Sequence, residues 1–358
     1  MVEVNAMKRA TRKRVRRTSG LEMNIAQHFW NLLAVAVIGS IVVAFVLVQQ
    51  HEVKVAHPFQ NPKAAFRLLQ QDKPFLLYGT AWKEDKTAYY VQEAIRAGFR
   101  YIDTAAQPKH YREAGVGEGW TTAAAELKLD RAELFLQTKF SPHQKPDDSN
   151  QNGATLPYDP NAELREQVQQ SVESSLKNLK TDYIDSLVLH SPLRTMAETL
   201  TVWKAMEELV DDGTVKMLGV SNCYNLEKFE TIFRQAKHKP WALQNRFYAD
   251  SNFDTDLRQF CAKNGIKYQS FWTLTANGKA LQSPEIKDMA QKRDLTPQTL
   301  LYAFLMSLGY GTPLSGTKSA KHMKEDVLVM KRLQDGEVIF QNEDQLRKMA
   351  QLLGMPAL

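Results

Sequence analysis

The sequence is poor in cysteine and in metal-binding patterns. Only Cys223 and Cys261 occur among 358 residues, so no disulfide framework can organise the fold. Neither cysteine has a nearby CxxC partner and the eight histidines show no metal-ligand spacing, so we expect no metal site. The chain also lacks an internal repeat of fixed period, which excludes solenoid and propeller folds.

Positive charge is scarce outside the N-terminus. The formal net charge is +6, and the first 28 residues, with seven basic and two acidic side chains, account for all but one unit of it. The rest of the chain is therefore close to neutral and offers no electrostatic argument for binding nucleic acid. A composition of 43% hydrophobic and 24% charged residues is typical of a folded protein and excludes a disordered chain.

A single long apolar run follows the basic tail, at residues 29–48. About 20 apolar residues in a helix span the roughly 30 Å hydrocarbon core of a bilayer. A cleaved signal peptide, the main alternative, has a shorter apolar stretch and a small-x-small site, but Lys54 stands two residues before the first small residue after the run, Ala56. We therefore predict an uncleaved single-pass transmembrane anchor at 29–48, between a basic tail at 1–28 and a linker at 49–73.

The side of the membrane and the organelle stay open. The positive-inside rule would keep the basic tail in the cytosol and send the rest of the chain across the membrane. The absence of paired cysteines fits a reducing compartment better, and an Arg-rich leader with few acidic residues also fits mitochondrial targeting. The sequence thus predicts a membrane localisation without selecting the compartment.

From residue 74 onward, short apolar runs alternate with longer segments of helical period, as in parallel α/β folds. A doubly wound sheet would usually have a glycine-rich phosphate turn after its first strand, but Thr80-Ala81-Trp82-Lys83 follows Gly79. Eight βα units in about 285 residues predict a (β/α)8 TIM barrel over 74–358. The predicted strands are 74–79, 101–105, 134–140, 184–190, 215–222, 242–247, 267–272 and 312–316.

Polar side chains gather at the carboxyl ends of these strands, where TIM barrels have their active sites. Asp103 follows the second strand, Tyr111 lies in the next loop, and Lys139 and His190 end the third and fourth strands. Each residue alone has a structural explanation, as a turn cap, a loop aromatic, a solvated cation or a buried histidine. Four such groups at neighbouring strand ends predict a common site.

These four side chains are suited to donate a proton to a carbonyl oxygen. A tyrosine is a poor acid near neutral pH unless a nearby cation favours its anion, and Lys139 would provide that charge while Asp103 holds the lysine protonated. His190 would donate a hydrogen bond to the same oxygen. None of these groups can supply a hydride, so the site needs a cofactor.

Six ordered motifs run from about Lys73 to Val327: GFRYIDTA…HYREAGVGEG, LQTKF, DSLVLHSPL, WKAMEELVDDGTVKMLGVSN, ALQNRFY and SGTKS…HMKED. They resemble the aldo-keto reductases, and the combination of HYREAGVGEGW, YDPNAELREQVQQS and YQSFWTLTAN looks like fungal members. The resemblance implies a TIM barrel that reduces aldehydes or ketones with NAD(P)H, or runs the reverse oxidation. It implies that Tyr111 is the general acid, tuned by Lys139 and Asp103, and that His190 orients the carbonyl.

The same resemblance implies the residues that hold the cofactor. Phe271 would stack on the nicotinamide where the family usually has tyrosine, which keeps a planar apolar ring. The residues implied around the nicotinamide and its ribose are Gly79, Thr80, Asp103, Ser221, Asn222, Gln244 and Phe271. Those implied at the adenosine end are Gly316, Thr317, Lys318, Ser319, His322, Glu325 and Asp326.

The sequence departs from the family pattern in two loops and at one cofactor residue. Seven residues separate Asp103 from Tyr111 where the family usually has four, so His110 is an alternative to Tyr111 as the acid. The loop at 141–160 is longer than in small relatives and would wall the substrate mouth. His322 replaces the usual phosphate-binding arginine, and nearby lysines would bind the phosphate as point charges, so we expect NADPH with NADH as the alternative.

The substrate is predicted only as a small carbonyl compound. Trp82, Trp120 and Trp272 suggest an aromatic-lined, apolar pocket, although the same residues, Trp120 above all, would equally pack the barrel rim. The main alternative to an enzyme is a non-catalytic, cofactor-binding regulatory subunit on the same barrel. We expect the protein to be a monomer.

Overall fold

The computed structural model describes residues 73–143 and 155–358, and within them eight parallel strands close into a barrel. Each strand pairs with the next in sequence, and the last pairs with the first through Leu77 and Leu314. The predicted barrel is confirmed, and each predicted strand overlaps an observed one. The strands are β1 (Leu77–Gly79), β2 (Tyr101–Asp103), β3 (Phe135–Phe140), β4 (Ile184–Leu189), β5 (Val215–Ser221), β6 (Ala242–Arg246), β7 (Lys267–Phe271) and β8 (Gly311–Ser315).

The helices lie outside the barrel, and their ends follow local sequence signals. Thr195 and Glu198 form a capping box at the start of Met196–Asp211, and Gly98, with φ +115°, ends Thr87–Ala97. The helices are α1 (Thr87–Ala97), α2 (Glu113–Leu127), α3 (Leu164–Leu179), α4 (Met196–Asp211), α5 (Leu226–Gln235), α6 (Thr255–Lys263), α7 (Thr273–Ala276), α8 (Gly278–Leu281), α9 (Pro284–Gln291), α10 (Pro297–Ser307), α11 (Ala320–Gln334) and α12 (Glu343–Leu353).

The short helices α7 to α9 form an insertion between β7 and α10 that the sequence patterns did not predict. α7 and α8 have four residues each, too few for a helical period to be recognised. The insertion begins directly after Trp272, which has a left-handed backbone with φ +56°. It therefore shapes the barrel mouth next to β7.

The predicted transmembrane anchor at 29–48 lies outside the described residues, as do the boundaries predicted before residue 73. Within 73–143 and 155–358, no helix is long and apolar enough to cross a bilayer. The longest described helices, α3 and α4, have 16 residues, or about 24 Å, and each buries only one face. The fold class predicted as a barrel behind a transmembrane helix is thus wrong in its membrane part. For the same reason, the predicted single-pass membrane localisation is wrong, and the membrane is not supported as a partner.

Candidate active site

Asp103 and Lys139 form a buried ion pair at the carboxyl ends of β2 and β3. The Lys139 Nζ lies 2.8 Å from both carboxylate oxygens of Asp103 and donates to the Thr104 carbonyl at 2.7 Å. Both side chains are at most 2% exposed. Burial lowers the pKa of Lys139, and the carboxylate of Asp103 opposes this shift. The pairing therefore favours the protonated lysine in an apolar setting.

Three buried glutamines support Asp103 from inside the barrel. The Nε2 of Gln137 donates to Asp103 Oδ1 at 2.7 Å, and that of Gln244 donates to the same oxygen at 3.0 Å. Both also donate to Gln269 Oε1, at 2.7 and 2.8 Å, and Gln269 donates back to Gln137 at 3.0 Å. A buried carboxylate needs such donors, and the network holds it in one orientation.

Tyr111 reaches the ion pair despite the long spacing from Asp103. The extra residues are taken up in a turn, in which the Gln107 carbonyl accepts from the backbone N–H groups of His110 and Tyr111. The centre of the Tyr111 ring lies 5.2 Å from Lys139 Nζ and 6.0 Å from the centre of the His190 ring. The structure thus brings all four predicted catalytic side chains together.

The protonation of Tyr111 differs from the expectation that Lys139 lowers its pKa. Burial raises the pKa of Tyr111, and the negative charge of Asp103 adds to the rise. The carboxylate that Lys139 contacts at 2.8 Å offsets part of the lysine charge beside the neutral phenol. In this structure the phenol is therefore protonated at neutral pH.

His110, the alternative acid, is directed elsewhere. Its ring packs against Trp82, with ring centres 3.9 Å apart and planes tilted by 46°, and its Nδ1 lies 2.7 Å from Gln107 Oε1. The Trp82 backbone N–H also donates to the His110 carbonyl at 2.8 Å. Trp82, one of the three predicted substrate residues, is 56% exposed and forms an aromatic rim with His110.

His190 is a neutral histidine held by two neighbours. Burial lowers its pKa to about 3, and the positive charge of Lys139 adds to this. Its Nδ1 lies 2.6 Å from the hydroxyl of Ser141, and Asn222 donates to its carbonyl at 2.8 Å. A neutral imidazole that accepts at Nδ1 carries its proton on Nε2.

The residues predicted around the nicotinamide occupy the ends of β1, β5, β6 and β7. The Thr80 hydroxyl donates to the Asp103 carbonyl at 2.9 Å, and that of Ser221 donates to the Gln244 carbonyl at 2.7 Å. Gln244 was expected at the carboxamide, but its amide nitrogen donates inside the barrel. Phe271 ends β7, and Gly79 ends β1.

A cavity of about 480 Å³ lies at the end of β8 and contains most residues predicted at the adenosine end. Asp326 in its wall is buried, accepts from Ser315 at 2.7 Å, and has its pKa raised to about 7 by burial. Ser319 caps the N-terminus of α11, and neither it nor the exposed Lys318 lines the cavity. The predicted residues in the wall are Gly316, Thr317, His322, Glu325 and Asp326, with Trp272 opposite.

The other two predicted substrate residues contact different parts of the fold. Trp120 is 7% exposed and lies in α2, where its indole N–H donates to the Leu179 carbonyl of α3 at 2.7 Å. Trp272 follows β7 and lines the adenosine-end cavity. Part of the 141–160 loop, 144–154, lies outside the described residues.

Sequence reasoning missed several polar residues that lie beside the predicted ones. Gln137, Gln269 and Arg246 each lie two residues from a predicted site residue on the same strand, and Ser141 lies two residues after Lys139. Side chains two apart on a strand share a face, so this spacing is the signal that would have found them. Without tertiary contacts, however, nothing distinguishes such residues from ordinary barrel filling.

Comparisons with known proteins show which family this chain resembles. The model of the aldo/keto reductase family matches residues 76–339. Methylglyoxal reductase DkgB of Yersinia pestis is 32% identical over 242 residues, 64% of this chain and 77% of that protein. The uncharacterized oxidoreductase YtbE of Bacillus subtilis is 29% identical over 67% of this chain and 76% of its own. A crystal structure of an aldo/keto reductase from Brucella melitensis has a TM-score of 0.61 at 25% identity, covering 77% of this chain and 94% of that one.

Proposed function

Because this chain belongs to the aldo/keto reductase family, we propose that it reduces an aldehyde or ketone to the alcohol with NADPH. Family membership makes it an NAD(P)H-dependent oxidoreductase, which confirms the resemblance and the enzyme class predicted from the sequence. The proposal adds the cofactor, the direction and the catalytic residues. One observation carries it: the buried Asp103–Lys139 pair lies beside Tyr111 and His190 at the barrel mouth.

The residues present fit a nicotinamide dinucleotide. Phe271 offers a planar ring at the end of β7, and the cavity at the end of β8 has room for an adenosine. His322 and Lys321 line that cavity and would face the phosphate that distinguishes NADPH from NADH. When bound, the cofactor supplies the hydride.

Tyr111 is the proposed proton donor. Its hydroxyl is protonated at neutral pH and would donate to the carbonyl oxygen of the substrate as charge develops there; the raised pKa of the buried phenol opposes this transfer, so the donation depends on a nearby cation. The phenolate left behind would be stabilised by Lys139, whose Nζ lies 5.2 Å from the ring centre. Asp103 and its glutamine network keep that lysine charged and in place.

His190 is proposed to orient the carbonyl. With Nδ1 accepting from the Ser141 hydroxyl, its Nε2–H would donate to the same carbonyl oxygen as Tyr111. The imidazole stays neutral down to about pH 3, so it acts as a donor across the physiological range without exchanging a proton. Tyr111 and His190 therefore divide proton transfer and alignment between them.

The substrate class is proposed from the relatives and from the rim. DkgB is named a methylglyoxal reductase, which makes short 2-oxoaldehydes the first compounds to test. The exposed Trp82, which packs against His110, provides an apolar surface at the mouth for larger carbonyl compounds. An aromatic aldehyde is the natural second compound.

The test is loss of NADPH absorbance with methylglyoxal or benzaldehyde, for the wild type, Tyr111→Phe and the control Tyr89→Phe, which changes an exposed tyrosine of α1. Tyr111→Phe should lower kcat by about 10² to 10⁴-fold and leave the Kd for NADPH unchanged. Equal turnover by Tyr111→Phe would refute the assignment of the acid. If the wild type binds NADPH but none of the tested carbonyl compounds causes its oxidation, the non-catalytic regulatory subunit would be favoured instead.

A further inference from the structure

Arg246 has no role in the site described so far. It is the last residue of β6, two residues after Gln244, so its side chain leaves the strand on the face that Gln244 presents to the barrel. In the strand register it is paired with Phe271 of β7. Arg246 therefore lies at the mouth, beside the ring proposed to stack on the nicotinamide.

Three aromatic rings surround the guanidinium of Arg246. Its central carbon lies 4.0 Å from the ring centre of Trp272, 5.2 Å from that of Tyr248 and 5.9 Å from that of Phe271. Such contacts favour a cation and limit its motion, but they provide no hydrogen-bond acceptors for its N–H groups. The cage holds a positive charge in a defined place.

The charge in this cage has no acceptor within residues 73–143 and 155–358. The Nε of Arg246 is buried without a hydrogen-bond partner, and no carboxylate forms an ion pair with the guanidinium. Two other arginines differ: the buried Arg258 donates to the carbonyls of Phe253 and Ala357, and the half-buried Arg131 pairs with Asp185 at 2.7 Å. A buried donor without an acceptor is unfavourable, which indicates that an anion completes this site.

The position of Arg246 identifies the class of anion. The guanidinium contacts both Phe271 and Trp272, and Trp272 lines the adenosine-end cavity together with Gly316 and Thr317. In a dinucleotide, the pyrophosphate joins the nicotinamide half to the adenosine half. We infer that Arg246 binds the pyrophosphate of the nicotinamide cofactor, an inference that rests on the proposed function.

This assignment separates Arg246 from the residues proposed to select NADPH. The planar guanidinium matches phosphate oxygens with two parallel hydrogen bonds, which lysine cannot form. Because NADPH and NADH share the pyrophosphate, Arg246 should strengthen the binding of both alike. Adenosine 2′-monophosphate carries the distinguishing phosphate and no pyrophosphate, so its binding should not depend on Arg246.

The experiment measures Kd by titration calorimetry for NADPH, NADH and adenosine 2′-monophosphate. Arg246→Met should weaken both dinucleotides by about 10- to 100-fold and leave the mononucleotide within about twofold. Arg246→Lys keeps the positive charge without the paired N–H groups of the guanidinium, so its Kd for the dinucleotides should lie between those of the wild type and Arg246→Met. Arg165→Met, which removes an exposed arginine paired with Glu208, is the matched control and should change nothing. Equal melting temperatures of the free proteins show that the variants fold.

Four other results would overturn the inference, and the last of them would also refute the proposed function. An equal loss of mononucleotide binding in Arg246→Met would mean that the residue shapes the whole groove. Unchanged dinucleotide binding with a raised KM for succinic semialdehyde, but not for methylglyoxal, would assign the cage to a substrate carboxylate. Unchanged binding of every compound in Arg246→Met would mean that Arg246 does not bind the pyrophosphate, and the proposed function would still stand. A wild type that binds neither dinucleotide would refute the proposed function itself.

Discussion

At the level of single residues, the site consists of polar groups that are buried and almost all paired. Asp103 accepts from Lys139 through both oxygens and from Gln137 and Gln244 through one of them. Burying charges is favourable only when such partners are present, so the contacts that make burial possible also fix the geometry. Ser141 likewise provides a hydrogen-bond partner for the buried His190, with its hydroxyl 2.6 Å from Nδ1.

Ser141 should control the hydrogen-bond donor of His190. Ser141→Ala removes the hydroxyl 2.6 Å from Nδ1 and frees the imidazole to place its proton on either nitrogen. We expect kcat for methylglyoxal to fall about tenfold, with an unchanged Kd for NADPH, because the loss concerns alignment rather than cofactor binding. Ser141→Thr keeps the hydroxyl and should recover most of the rate. Wild-type kcat in Ser141→Ala would contradict this role.

The four candidate catalytic residues could be named from the sequence, whereas their electrostatics could not. Residue type and strand order place Asp103, Lys139 and His190 at neighbouring strand ends. The direction of the pKa shift of Tyr111 depends instead on burial and on how far Asp103 neutralises Lys139. These are distances across the barrel, which no local pattern encodes.

At the level of elements, β3 and α3 hold the start of α2, which follows the Tyr111 loop. α2 begins at Glu113, two residues after Tyr111, and the buried Glu113 carboxylate accepts from Thr138 at 2.5 Å and from Ser175 at 3.1 Å. These bonds join the start of α2 to β3 and α3. A rigid α2 thus holds the end of the loop that carries the proposed acid.

Gly117 allows the close approach of α2 and α3. A Cβ atom at this position would lie 2.1 Å from the Asn178 carbonyl oxygen of α3, so the two backbones would have to separate. Gly117→Ala should lower the free energy of unfolding by about 2–4 kcal/mol, measured by urea denaturation, and reduce kcat through the displaced Tyr111 loop. Gly278→Ala, at a glycine with open space around it, is the control and should be neutral. Equal stability of the two variants would refute this packing argument.

Helix and strand positions were largely readable from periodicity, but the insertion after β7 was not. Alternating apolar runs and amphipathic segments mark long elements well. The insertion consists of short helices whose first residue follows the left-handed Trp272. The contact of Trp272 with Arg246 of β6 joins two strands' ends and is a tertiary contact, so neither the short helices nor the role of this arginine could be read from periodicity.

For the whole molecule, the chain closes the barrel beside the proposed cofactor site. The Tyr78 hydroxyl of β1 donates to the Thr317 carbonyl at 2.9 Å, and Lys83 donates to the Gly316 carbonyl at 3.0 Å. Both bonds join the first βα loop region to the loop after the last strand. Stability of the fold and shape of the adenosine-end cavity are therefore coupled.

Two buried groups should give the stability of the whole fold opposite dependences on pH. Asp326 has a folded pKa of about 7, above its ordinary 3.8, so the folded state holds a proton that the unfolded state releases, and stability falls as pH rises between these values. His190 has a folded pKa of about 3, below its ordinary 6.5, so the unfolded state takes up the proton and stability rises with pH over that range. The two effects largely cancel in the wild type.

Removing either group should reveal the pH dependence that the other gives to the free energy of unfolding. Between about pH 4.5 and 7, Asp326→Asn should make the free energy of unfolding rise with pH by about 2–3 kcal/mol more than in the wild type. His190→Gln should change the slope by a similar amount in the opposite direction. Urea denaturation at several pH values measures both slopes, and parallel curves for the three proteins would contradict the assignment.

The order of apolar and helical segments was enough to identify the barrel, and the residues at its strand ends were enough to identify the candidate chemistry, because both follow from local periodicity and chain order. The folded chain was needed to show that a turn at Gln107 brings Tyr111 to Lys139, that Trp120 packs between helices, and that Arg246 lies unpaired in an aromatic cage. Each of these depends on contacts between residues far apart in sequence, where packing and desolvation act. Hydropathy alone indicated a membrane helix at 29–48, whereas within residues 73–143 and 155–358 no helix is long and apolar enough to cross a bilayer.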